Sequence, residues 1–316
     1  MTGSQDIDGV LVQWGERLFY PANRMVRGGG SPKFRGASMK DRAAWVRARI
    51  AATAARRAPQ VMVKITGGGR GMRAIAAHLR YISKGGRLQS ETETGELVTG
   101  KDAVRDLAEE WRLGGSLIEA ESNRRDALNV MLSMPRGADP LAVQRAAREF
   151  AKLEFADHKY VMVLHDHQAN PHVHISVRRE SRYGQRINPR KADLQRWRET
   201  FAEKLREWGV EAEASRQATR GVNRHHPAIW QVKAKEEGRL RNLRSGRSEG
   251  TRTGAAHENS KQAWSRIAVA LASSSDPGDR QLASSVHRLL QGRAAKEQVP
   301  PQQDRSATGR EPQPGR

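Results

Sequence analysis

Four of the chain's ten histidines, His165, His167, His172 and His174, fall within one stretch, LHDHQANPHVHIS, at residues 164–176. A neutral imidazole offers one nitrogen lone pair to a divalent metal. His172 and His174 are two residues apart, so in a strand both project from the same face. A hairpin turning through DHQANP folds His165 back beside them. Three imidazoles then converge on one cation and leave its remaining positions to water and a substrate oxygen. Crowding so many titratable rings together without a metal is costly. A lone histidine pair in a strand is more often structural; three rings meeting through a hairpin favour a metal site. His167 shares the parity of His165 if the strand runs that far, and Asp166 has the opposite parity. Each is open to three readings: a ligand, a support for a ligand, or a solvated turn residue.

The second reactive group is a phenol. The tyrosines are Tyr20, Tyr81, Tyr160 and Tyr183. Tyr20 lies in a peripheral segment, Tyr160 begins an apolar strand and Tyr183 sits in ESRYGQR, which reads as a turn. In GMRAIAAHLRYISKGG the buried stripe of a helix is Ile75, Leu79 and Ile82. Tyr81 falls off that stripe, on a face shared with His78 and Lys84. Its neighbours include Arg80, and such a cationic setting suits a phosphate, although an ordinary surface tyrosine fits the same position.

These groups need a scaffold. VMVKIT (61–66) and ALNVMLSMP (127–135) read as strands, and KYVMVLH (159–165) and HVHISVRR (172–179) read as a strand pair. Helices are expected from Met72 to about Lys84, from Lys101 to about Leu113, and from Asp139 and Pro140 through about Phe155. Another starts near Lys191 and carries the stripe Leu194, Trp197, Phe201, Leu205 and Trp208. Strands interleaved with helices around a hairpin imply an α+β fold, a central antiparallel sheet covered by helices. The folded domain spans about 59–225. Residues 1–58 read as a basic, partly disordered N-terminal arm with a short helix from about Lys40 to Arg57. Residues 226–316 read as a basic C-terminal segment, with helical pieces around Trp264–Ala272 and Arg280–Leu290 and then a disordered tail.

The chain has 56 lysines and arginines against 35 acids, a formal charge of +21. Such a surplus calls for a polyanion, nucleic acid before an anionic membrane surface. Residues 1–58 and 226–316 each contribute a surplus of basic side chains. There is no cysteine, which excludes disulfides, a thiol nucleophile and a cysteine-based zinc site. No run approaches the roughly 18 apolar residues needed to cross a bilayer, and the N-terminus does not read as a secretory signal. The expectation is a soluble, cytoplasmic bacterial protein without membrane insertion.

With these residues in view, the chain resembles the MobA/VirD-type mobilisation relaxases, members of the HUH endonucleases. HLRYISKGG is similar to their first motif, whose tyrosine falls on Tyr81. NVMLSMPRG is similar to their second, whose serine falls on Ser133. PHVHISV, with His165 seven residues before His172, is similar to their third. The motifs occur in the family's order, and the segment RKADLQRWRETFAEKLREWGVEAEASRQATRG continues the likeness, so that about 60–225 is covered. Two positions depart from the pattern. His167 stands where the family commonly has aspartate, with Asp166 beside it. Arg178 stands where asparagine is frequent, which suggests that this strand end meets DNA phosphate.

The resemblance implies a palm-like relaxase fold and a phosphodiester transesterification on single-stranded DNA at an origin of transfer. Tyr81 is then the nucleophile, giving a 5′-phosphotyrosine and a free 3′-hydroxyl. His165, His172 and His174 hold the metal, with His167 as a further candidate. Asp166 or His167 orients a ligand or takes the phenolic proton, and Ser133 contacts DNA beside the nick. Arg80, Lys84, Arg178 and Arg179 bind DNA. Magnesium or manganese is implied, and the softness of imidazole also admits zinc. The implied partners are relaxosome accessory proteins and the coupling protein of a type IV secretion system. Three alternatives share some of these features. A rolling-circle initiator or single-tyrosine transposase commonly places its tyrosine after the histidines. A basic accessory protein with a structural metal makes no covalent adduct. A zinc hydrolase attacking with water has no need of Tyr81.

Overall fold

The computed structural model describes residues 3–19, 37–221 and 251–297. In chain order its elements are α1 (Gly3–Phe19), α2 (Met39–Ile50) with a π-helical turn at Ala51–Ala55, β1 (Met62–Gly67), α3 (Gly71–Ile82), β2 (Ser90–Thr92), β3 (Leu97–Val98), α4 (Lys101–Leu113), β4 (Ala127–Ser133), α5 (Pro140–Glu154), β5 (Tyr160–His165), β6 (His172–Arg178), α6 (Lys191–Glu207), α7 (Gln217–Arg220), α8 (Thr251–Ala272) and α9 (Pro277–Glu297). They fall in two compact units. Of the described residues, one comprises 3–19, 37–56, 216–221 and 251–297; the other comprises 57–215.

The second unit is α+β. Its six strands pair in the order β1-β4-β6-β5-β2-β3, and every neighbouring pair is antiparallel. Period-two alternation divides the apolar residues between two faces. Leu128, Val130 and Leu132 of β4, Tyr160 and Met162 of β5, and Val173, Ile175 and Val177 of β6 share a core with Phe150 and Phe155 and with Trp197, Phe201 and Leu205. Those aromatic and aliphatic partners come from α5, the residue that ends it, and α6. On the opposite face, Ala127, Val161 and Val163 pack with Ile75, Leu79 and Ile82 of α3 and with Val104, Leu107 and Trp111 of α4.

Local chemistry fixes where these helices begin. The Asp139 carboxylate accepts from the backbone N–H groups of Leu141 (3.1 Å) and Ala142 (3.2 Å), and Pro140 occupies the first turn of α5. At the start of α3, Gly71 has φ +73°, and a Cβ there would lie 2.6 Å from the Ala120 carbonyl oxygen. The α6 stripe is narrower than expected. Trp197, Phe201 and Leu205 are buried, but Trp208 is exposed and its indole N–H donates to Glu149 (3.1 Å).

The other unit is helical where it is described. Its composition suggested arms without a core, yet Leu11 and Leu18 of α1, Val46 and Ile50 of α2, and Trp264, Ile267 and Val286 of α8 and α9 bury one another. The Trp264 indole N–H donates to the Thr219 carbonyl (2.7 Å), and the Thr219 hydroxyl donates to that of Leu18 (2.9 Å). The Arg47 guanidinium bonds both Asp279 and Asp8, each at 2.7 Å, which ties α2 to α9 and α1. The glycine-rich stretch of the N-terminal segment and the final tail, both expected to be disordered, lie largely outside the described residues.

Candidate metal and nucleophile site

The β5–β6 hairpin sets His165 directly opposite His172, and β6 carries His174 to the same face, opposite Met131 of β4 and Val163 of β5. The three rings form a compact triangle. Their centroids are 5.0 Å apart for His165–His172, 4.7 Å for His165–His174 and 5.1 Å for His172–His174. One nitrogen from each lies within 4.8 Å of the others. Tetrahedral zinc–imidazole bonds of about 2.1 Å ask for ligand nitrogens roughly 3.4 Å apart, so a small inward movement of the rings suffices.

The hydrogen bonds of the rings also suit a metal. His165 Nε2 faces the Ile82 carbonyl at 2.7 Å, and His172 Nδ1 faces the Asn170 carbonyl at 3.0 Å. A carbonyl only accepts, so these two nitrogens carry the protons, and the opposite nitrogen of each ring keeps its lone pair. His174 Nδ1 is buried with no hydrogen-bond partner. Three imidazoles of this kind fit a divalent cation.

Burial favours the neutral form of two of the rings, His165 and His174. It is the main cause that lowers the pKa of His165 and pushes that of His174 down to about 3, with neighbouring histidines adding to both. Burial also lowers His78 and His158. In the unfolded chain an imidazole titrates near 6.5. Folded-state values below that mean that the unfolded chain takes up protons first as the solution is acidified. The stability conferred by the neutral rings is therefore full above about pH 6.5 and is lost as pH falls from there toward the folded values. The metal-free protein is expected to melt at a lower temperature at pH 5 than at pH 7.5, and a His174→Phe variant is expected to lose less over the same interval. Calorimetry at the two pH values checks this; an equal pH dependence in both proteins would contradict it.

Tyr81 stands in the last turn of α3 and is 72% exposed. Its ring lies 6.3 Å from that of His78, at 30°. The next residue supplies the carbonyl that holds His165, so the end of the tyrosine's helix is hydrogen-bonded to the histidine cluster. Tyr160 is excluded as a nucleophile. It is buried in the opposite core, and burial, with Glu91 and Glu93, pushes its phenol up to about 12. Tyr183 is exposed in a loop under the Arg182 guanidinium.

The other residues singled out from the sequence divide. Arg80 is exposed and Lys84 half-exposed, both close along the chain to Tyr81. Asp166 and His167 are exposed in the hairpin turn. The His167 ring comes within 5.2 Å of that of His165, but it stands outside the ligand cluster. Ser133 is buried, and its hydroxyl donates to the Pro171 carbonyl (3.3 Å), so it braces the turn before His172. Arg178, expected at DNA phosphate, is turned inward. It is 3% exposed, and its guanidinium donates to the carbonyls of Trp111 (2.6 Å) and Ser116. The parity that gathers the histidines also places Arg178 on their face, but roughly 14 Å further along the strand, where α4 and the chain after it cover the sheet. Arg179 is likewise engaged, donating to the Ile187 carbonyl (2.8 Å).

One contributor went unassigned in the sequence. His78 is half-buried, and its Nε2 has no hydrogen-bond partner among the described residues. Its spacing of three residues before Tyr81 on one helix was the available signal. Among the described residues, His165, His172 and His174 are the one group placed to share a metal ion. Residues 81–210, which run from Tyr81 past the histidine hairpin and through α6, match the family described as Relaxase: MobA/VirD2-like, nuclease domain. No curated protein matches the chain.

Proposed function

We propose that this chain, whose residues 81–210 are a MobA/VirD2-like relaxase nuclease domain, nicks one DNA strand by tyrosine transesterification and so starts the conjugative transfer or mobilisation of a plasmid or integrative element. The observation that carries the proposal is the hydrogen bond from His165 to Ile82, which joins the end of the Tyr81 helix to the three-histidine cluster.

In this reading the Tyr81 oxygen attacks the scissile phosphorus of single-stranded DNA. The bond from phosphorus to the 3′ oxygen breaks. The phenolic proton is given up, and the departing 3′ oxygen takes one, leaving a 5′-phosphotyrosine and a free 3′-hydroxyl. One phosphodiester replaces another, so the strand can be rejoined without ATP. A divalent metal held by His165, His172 and His174, with magnesium or manganese favoured and zinc also compatible, would polarise the phosphate and offset its developing charge. Ile82 and Asn170 fix the tautomers of two rings, and Ser133 holds the turn before His172. Arg80 and Lys84 meet the DNA backbone, and Asp166 or His167, in the hairpin turn, orients a ligand or accepts the phenolic proton. We assign the protein to the bacterial cytoplasm, working with relaxosome accessory proteins and the coupling protein of a type IV secretion system. No helix among the described residues is long and apolar enough to cross a membrane.

The test is incubation of the full chain with manganese or magnesium and single-stranded oligonucleotides tiled across the DNA flanking its own gene. A protein band that migrates with the oligonucleotide after SDS and heat is the expected result. Hydrolytic nicking without such a band would replace the tyrosine with water as the attacking group.

A further inference from the structure

Lys84 has φ +50°, and among the described residues it shares a positive φ outside glycine with Arg57 alone. A side chain in this left-handed region brings its Cβ close to the following carbonyl, which destabilises the fold relative to glycine. The two residues that follow have the same sign of φ, Gly85 at +71° and Gly86 at +86°. Gly86 is required by its surroundings, because a Cβ there would collide with the Gly100 carbonyl. The run therefore already uses glycine where the backbone demands it, and lysine interrupts it.

The turn does not need that side chain. It is closed by backbone and serine bonds: Lys84 N–H to the Tyr81 carbonyl (3.1 Å), Gly85 N–H to Arg80 (2.7 Å), and Gly86 N–H to the Ser83 hydroxyl (3.1 Å). Among the described residues the Lys84 ammonium has neither an ion pair nor a hydrogen bond. Its place is nonetheless specific. It lies three residues after Tyr81 and two after Ile82, whose carbonyl is bonded to His165.

We propose that Lys84 is a catalytic residue that places its ammonium against a non-bridging oxygen of the phosphate attacked by Tyr81, and that the strained turn is retained for that charge. The inference rests on the transesterase reading above. Attack by the phenolic oxygen concentrates negative charge on the non-bridging oxygens, so a fixed cation there interacts more strongly with the transition state than with the bound strand. Its loss should slow the reaction more than it weakens binding. A lysine that merely solvates the turn predicts a different outcome, a gain in stability with no change in rate.

The experiment uses the full chain with saturating manganese and the oligonucleotide that gives the adduct, comparing wild type with Lys84→Gly, Lys84→Asn and Lys84→Arg. Glycine and asparagine tolerate left-handed backbone, so both variants are expected to melt above wild type. Single-turnover adduct formation should fall about 10- to 100-fold in each, with oligonucleotide Kd within about threefold, and Lys84→Arg should recover most of the rate. A wild-type rate in Lys84→Gly and Lys84→Asn overturns the inference, as does a rise in Kd large enough to account for the slower reaction. If wild type itself forms no adduct, the transesterase reading fails and this inference fails with it. An active wild type with equally active variants removes the inference alone.

Discussion

Tyr81→Phe is expected to abolish the SDS-resistant protein–DNA adduct, by about 10³-fold or more, while leaving affinity for the uncut oligonucleotide nearly unchanged. Removing a nucleophile deletes the reaction path itself, whereas the supporting charges and hydrogen bonds remain. The substitution removes one hydroxyl from a side chain that is 72% exposed and has no hydrogen-bond partner among the described residues, so the fold has nothing to lose by it. Tyr183→Phe provides the comparison, an exposed tyrosine in the same unit without a connection to the histidines. A gel in which Tyr81→Phe still forms the adduct and Tyr183→Phe does not would transfer the nucleophile to Tyr183.

The second large effect concerns the metal. His172→Ala and His174→Ala should each lower metal affinity by ~10²-fold or more, since each removes one of three ligands held to a single face. Adduct formation should fall with it and recover only partly at high manganese. His167→Ala should be much milder, because its ring neighbours His165 without entering the ligand cluster. Calorimetric titration with manganese separates the cases. Binding that survives loss of His165 and disappears with His167 would exchange the roles of the two.

The site was legible in the sequence to the extent that strand parity governs it. Parity places His172 and His174 together, and a short hairpin returns His165 to them. The same rule misleads at Arg178, because it says which face a residue is on but not what covers that face further along. Only the packing of α4 and its following loop against the sheet turns the guanidinium toward Trp111 and Ser116. The apolar stripes of α3 and α6 were likewise readable, since each buries one face. Strands β2 and β3 were not. SETETGELV has no apolar alternation, and its Glu91 is buried against Arg148, a partner 57 residues away that no local pattern announces. The strand exists because β5 offers it an edge. In the helical unit, α1 carried a signal that went unused. Ile7, Leu11, Trp14 and Leu18 recur at steps of three and four, but the core that receives them is completed by residues more than 200 positions later.

That separation has a consequence for the order in which the chain takes shape during synthesis. Residues Arg57–Ser215 form their own unit, and the stretch before β1 is paired with the stretch after α6 through Gln60 and Glu213, so its two ends close on each other. This unit can thus assemble as soon as its last segment leaves the ribosome. Helices α1 and α2 emerge before this unit and stay without the rest of their core until Trp264, Ile267 and Val286 have been made. At elongation rates of roughly 5–20 residues per second that wait is on the order of 10–40 s. During it their apolar faces are open to any binder of nascent chains, so helices made before the α+β unit are sheltered only after it.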